Sequence, residues 1–120
     1  MKIDEVISND ELLFEMSTLQ KKTTGLPVNI YVSSGGSVNH QHGPRIKAMI
    51  TSSEKMDINS TVSILLKRNI TADDVVGYNK LPNDILNSLR KYINKNYDTL
   101  MLYWNDEIDS AELIQKLKKI

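Results

Sequence analysis

Residues 28–50 read "VNIYVSSGGSVNHQHGPRIKAMI", and the fold turns on how this stretch alternates. Val28, Ile30 and Val32 interleave with Asn29, Tyr31 and Ser33, and after the break Ile46, Ala48 and Ile50 interleave with Arg45, Lys47 and Met49. Successive strand side chains point to opposite faces, so a period of two with one apolar set describes two half-buried strands. The connection between them is rich in Gly, Ser and Asn and contains a Gly-Pro break, which predicts a wide loop and not a two-residue hairpin. Beyond the turn-like "SSEKMD", Ile58, Ser60, Val62, Ile64 and Leu66 alternate with Asn59, Thr61, Ser63 and Leu65. A third strand is expected there, antiparallel to the second because the connection is short.

Helical spacing flanks this sheet on both sides. Ser8 and Glu11 have the spacing of a capping box, and Leu12, Leu13, Met16 and Leu19 then recur on one helical face until Gly25 and Pro27 intervene. Downstream, Leu81-Pro82-Asn83 opens the strongest periodicity in the chain. Ile85, Leu89, Tyr92, Ile93, Tyr97, Leu100, Met101 and Trp104 share a stripe that predicts a long helix from Asn83 to Trp104. Asp109 and Glu112 form a second cap-like pair ahead of Leu113, Ile114, Leu117 and Ile120, a short terminal helix. The stretch "ITADDVVGYNK" fits either a helical turn opened by Thr71 or an irregular connection, with a fourth strand near Val75 as an option.

The expected fold is therefore α+β: a small antiparallel sheet of three or four strands packed against a long helix, with N- and C-terminal helices. A chain of 120 residues is long enough for one hydrophobic core and short for two, so residues 1–120 form a single domain. Within it, 1–24 is the N-terminal helical region, 25–68 the sheet and 69–120 the second helical region. The predicted core is Leu12, Leu13, Met16, Val28, Ile30, Val32, Ile46, Ala48, Ile50, Val62, Ile64, Ile85, Leu89, Ile93, Leu100 and Trp104. An apolar share of 40% beside 25% charged residues is ordinary globular composition, and no apolar run approaches the ~20 residues of a membrane helix. With no cysteine, and with acids where a secretory leader would be apolar, the expectation is a cytoplasmic protein without a membrane partner.

Net charge is zero, which removes the globally basic footprint of many nucleic-acid binders. The charge is nonetheless uneven. Residues 1–20 hold one cation against five carboxylates, whereas residues 21–68 hold seven cations against two, a balance of +5. The positive segment contains both histidines, His40 and His42, followed by Arg45 and Lys47. Strand residues two apart share a face, so Arg45 and Lys47 lie together opposite Ile46, Ala48 and Ile50. If the first strand runs antiparallel to the second, Tyr31 and Asn29 join that polar face, with His40 and His42 arriving from the loop. A guanidinium fork, an ammonium and glycine-rich backbone amides suit an anion, so the candidate anion-binding residues are His40, His42, Arg45, Lys47 and Tyr31.

Rival readings stay open. The histidines are equally explained as loop-forming residues beside ordinary surface cations. As a His-x-His pair they could hold a metal ion in a hydrolase, but cysteine and a third histidine are lacking and carboxylates such as Glu54 or Asp57 would have to complete the set. No catalytic nucleophile is evident, no cofactor is implied, and whether the protein is an enzyme stays undecided, with the weight against it. Trp104, Tyr92, Tyr97 and Tyr103 invite a stacking-platform reading, yet aromatics at helical spacing belong to the core, with only Tyr103 off the main stripe. A protein-interaction module would need an apolar anchor, for which Phe14 and Tyr103 are the candidates.

The succession "GLPVNIYVSSGG", "HGPRIKA", a strand, then "LPNDILNSLRKYINKNYDTLMLYWNDEIDSAELIQKL" resembles small uncharacterised proteins of phages, mobile elements and bacteria. Among them is a domain of unknown function with a His-x-His loop before a strand and a helix ending in leucines and a tryptophan. The matching positions are His40, His42, Pro44, Arg45, Lys47, Leu100 and Trp104, although Pro44 follows the second histidine here. The resemblance implies a small antiparallel sheet in an α+β fold. It also implies an accessory or interaction protein, inhibitory, anti-defence or antitoxin-like, rather than a metabolic enzyme, by analogy alone.

Overall fold

A computed structural model describes residues 16–33, 43–51, 60–77 and 80–120. Five strands, β1 (Met16–Leu19), β2 (Ile30–Ser33), β3 (Arg45–Met49), β4 (Thr61–Leu65) and β5 (Val75–Val76), form one sheet in sequence order. Every neighbouring pair is antiparallel. The described helices are a single turn α1 (Lys21–Thr24), the long α2 (Asn83–Trp104) and the short α3 (Ser110–Lys116). The fold is thus α+β, with five strands where the sequence suggested three or four.

One expectation is overturned at the N-terminal side. Met16–Leu19 is a strand and not the continuation of a helix, because it pairs with β2 in the register Thr18↔Tyr31 and Leu19↔Ile30. Pairing to a neighbour satisfies the backbone of four residues at once, which outweighs a helical spacing carried by only four apolar positions. Leu12, Leu13, Ser8 and Glu11 lie outside the described residues. The option near Val75 is realised as β5, entered through a 3₁₀ turn at Ala72–Asp74.

The alternation of residues 28–50 sorts the sheet as expected. Ile30, Val32, Ile46, Ala48, Val62 and Ile64 point inward and are buried, and α2 packs across this face against β2. The helix contributes Ile85, Leu86, Leu89, Tyr92, Ile93, Leu100 and Tyr103 to the same core. Of the predicted core, Ile50 is only half-buried at its edge and Trp104 is half-buried. Leu19, Leu26, Met49, Leu66, Ile70, Leu81 and Leu113 join it unforeseen.

Both ends of the helical layer are locally specified. Left-handed Asp106 (φ 62°) lets the Glu107 N–H donate to Leu102 C=O at 2.9 Å, which terminates α2. Asp109 and Glu112 then form the expected capping box, with Glu112 N–H donating to Asp109 Oδ1 at 2.8 Å. After α3 the chain turns back along α2 in an extended strap. The buried Asn96 side chain holds it by donating from Nδ2 to Lys118 C=O (2.9 Å) and accepting at Oδ1 from Lys118 N–H (2.8 Å). Ile120 N–H donates to Thr24 C=O at 3.1 Å beside Gly25, where a Cβ would stand 2.5 Å from the Ile120 carbonyl oxygen.

Candidate functional site

The sheet face turned away from α2 is where the sequence placed its cations. β3 carries Arg45, Lys47 and Met49 on that face and Ile46 and Ala48 on the other. Register fixes the neighbours: Tyr31, Lys47 and Ser63 stand opposite one another across β2, β3 and β4, and Arg45 stands opposite Leu65. Directly opposed residues place their Cβ atoms about 5 Å apart, and Arg45 and Lys47 are roughly 7 Å apart along the strand. Tyr31, Arg45 and Lys47 are therefore one group, as predicted.

Their surroundings differ from the prediction in one respect. Arg45, Lys47 and Tyr31 are half-buried and not open to solvent, and Met49 on the same face is fully buried. The Arg45 Nε is buried without a hydrogen-bond partner, and neither Arg45 nor Lys47 forms an ion pair with a described residue. A buried donor left unsatisfied costs about 1–3 kcal/mol, more when it is charged. Among the described residues this face thus holds two cations without a counter-charge and one unused, desolvated N–H, an arrangement that an anion would complete.

Asn29 does not belong to this group. It is buried, and its Oδ1 accepts from the Lys21 N–H at 2.8 Å, so it ties α1 to β2. His40 and His42 lie outside the described residues, as do Glu54 and Asp57. The described chain resumes at Gly43, which adopts a left-handed φ of 68°, and Pro44 accepts from the Leu66 N–H at 3.0 Å, delivering the chain into β3 at Arg45. Among the described residues no three histidine or carboxylate side chains converge on a metal position.

Tyr92, Tyr97 and Tyr103 are structural. Tyr92 is fully buried, and burial pushes its hydroxyl up to about 12. Tyr97 lies under the Arg68 guanidinium, 4.6 Å from the ring centroid. Tyr103, expected off the stripe and offered as an interaction anchor, is buried, and its hydroxyl shares a 3.0 Å hydrogen bond with Ser110 Oγ. α3 covers the side of α2 that carries it, so this anchor is lost to an interaction surface; Phe14 lies outside the described residues. Ser63, which no sequence motif singles out, enters the site through register alone.

Among the described residues no helix is long and apolar enough to cross a membrane. Comparison with protein-family models, with curated proteins and with solved structures gives no match.

Proposed function

We propose that this is a small non-enzymatic binding protein that recognises an anionic group on the outer face of its sheet, through Arg45, Lys47 and Tyr31 with His40 and His42 supplied by the preceding loop. The observation that carries the reading is the half-buried pair of cations without a counter-charge among the described residues, one of them with a desolvated Nε lacking an acceptor. The guanidinium supplies a planar fork and the ammonium a point charge, which suits the phosphate of a nucleotide or nucleic acid or an acidic patch on a protein. The resemblance to accessory proteins of phages and mobile elements agrees with a role in binding another molecule.

A thermal-shift screen of nucleotides, cyclic dinucleotides and short oligonucleotides tests this. A ligand at about 100 times its Kd stabilises the native chain by about 2.7 kcal/mol, a rise in Tm of several degrees. The rise is expected to shrink in Arg45→Ala with Lys47→Ala by the part contributed by ligand held at the sheet face. It should also grow as pH falls through the ordinary histidine range near ~6.5, where His40 and His42 gain charge. A ligand that stabilises the double variant as much as the native protein, at every pH and salt concentration, removes the site.

A further inference from the structure

On the helical side of the core, away from the outer sheet face, a second cationic feature is built by elements that sequence reading left unconnected. Arg68 follows β4, and the next residue, Asn69, is left-handed (φ 57°). That turn is clasped by α2 in two hydrogen bonds of 2.9 Å, from Asn69 N–H to Asn94 Oδ1 and from Asn94 Nδ2 to Asn69 Oδ1. The clasp lays the Arg68 guanidinium over the Tyr97 ring, with Nη2 donating to Asp98 Oδ1 at 3.1 Å and Nη1 to Asn94 C=O at 3.4 Å. Between this arginine, α2 and the strap lies a cleft of about 180 Å³, bordered by Arg68, Lys95, Asp98, Thr99, Lys116 and Lys118.

Four cations face one carboxylate here, and the carboxylate is weakly placed. The Asp98 side chain is 86% exposed, so its pair with Arg68 is a solvent-screened surface contact. Two of the five guanidinium N–H groups are engaged, which leaves three for a ligand. Lys95 Nζ donates once, to Lys119 C=O at 2.7 Å, while the side chains of Lys116 and Lys118 are exposed and hold no hydrogen bond or ion pair with a described residue. Lys118 is fixed at its backbone by Asn96, so the strap holds the base of this side chain at the rim of the cleft. Like charges gathered on one concave surface focus potential and concentrate counter-ions there. A cleft of this size has room for a phosphate group.

We infer that this cleft binds a phosphate group, at a site separate from the outer face of the sheet and independent of it. The contact is to phosphate and not to a base, because the aromatic ring that lines the cleft carries the guanidinium on one face and belongs to a residue packed against the core. The shared chemistry is a phosphate dianion or diester held by Arg68, Lys116 and Lys118, with Lys95 beside them.

Titration of the ¹⁵N-labelled full chain with sodium pyrophosphate and, separately, with a single-stranded deoxythymidine decamer tests the inference. Saturable amide shifts are expected at Arg68, through residues 95–99 and at Lys118. They should weaken at least tenfold in Lys116→Ala with Lys118→Ala, a change that removes no side-chain bond within the described fold, and likewise in Arg68→Ala. They should persist in Arg45→Ala with Lys47→Ala. If the decamer binds more tightly and its log Kd rises with log salt at a slope of about 2, three phosphates of a nucleic-acid backbone are the source. If pyrophosphate binds and the decamer does not, a small phosphate compound is the source; both results support the site. Unchanged affinity in Lys116→Ala with Lys118→Ala, absence of saturable shifts with either probe, or shifts confined to the surroundings of Arg45 and Lys47 overturn it, the last leaving the sheet-face reading standing.

Discussion

Replacing Asn96 by Ala should destabilise the protein through a segment that lies 22 residues away in sequence. Asn96 is 3% exposed, and its amide makes two hydrogen bonds to the strap, 2.8 and 2.9 Å to the Lys118 N–H and C=O, besides a 3.0 Å bond to Tyr92 C=O in its own helix. Each strap bond contributes about 1 kcal/mol net, and a part-buried partner left unpaired adds about 1 kcal/mol more. The better helix propensity of Ala returns about 0.6 kcal/mol. The expected loss is about 2–3 kcal/mol. In a chain ended after Lys116 the strap is gone, and Asn96→Ala should then cost less than about 1 kcal/mol. Urea unfolding, followed by fluorescence of Trp104, the single tryptophan, reads both values. The two changes should therefore couple by about 2 kcal/mol, well beyond the additivity error of a double-mutant cycle. An equal cost of Asn96→Ala in the full and shortened chains would show that the amide acts within α2 alone and refute the reasoning.

Two further outcomes concern titration. Tyr92 is fully buried with a hydroxyl that finds no hydrogen-bond partner, and burial lifts it from 10 to about 12. The unfolded chain therefore releases this proton first, and stability is lost as pH rises from about 10 through 12, by about 2–3 kcal/mol at 1.36 kcal/mol per unit. Tyr92→Phe should keep or slightly raise stability at neutral pH and lose that alkaline step in denaturant titrations against pH. At the other limb, the Thr71 N–H donating to Asp74 at 2.8 Å holds this carboxyl below its usual range against the opposing effect of burial, with Lys67 at 3.1 Å assisting. Its folded pKa is depressed, so its contribution is present above the unfolded value and disappears as pH falls through the folded one. Asp74→Asn should flatten the acid limb of the stability profile, and an unaltered limb would show that the carboxylate is inert.

The sheet centre was legible because Ile30, Val32, Ile46, Ala48, Val62 and Ile64 report a single buried face with period two, and the same arithmetic placed Arg45, Lys47 and Tyr31 together. α2 was legible from Asn83 to Trp104 because 22 residues of periodic sequence leave little ambiguity. Met16–Leu19 was not, since its residues suit a helix and only pairing with β2 decides otherwise. Tyr103 was misplaced because α3 widens the covered arc of α2 beyond the stripe that packs on the sheet. Asn96 looks like a polar residue intruding on an apolar face until its partner, the backbone at Lys118, is known. The Arg68 cleft depends on a left-handed Asn69 and on a helix crossing, neither of which leaves a periodic trace.

Because the five strands lie in the order in which they are made, each can join the sheet by pairing with the strand made just before it. Such a meander assembles by successive zipping and does not await a distant partner. The Ile120–Thr24 bond is the opposite case, an enclosure of almost the whole described chain whose loop entropy is met only once the sheet and α2 are in place. Contacts formed that late should show φ-values near zero. Loosening the strap should therefore leave the folding rate nearly constant and appear almost wholly as faster unfolding, making this clasp a setting of the protein's lifetime and not of its rate of assembly.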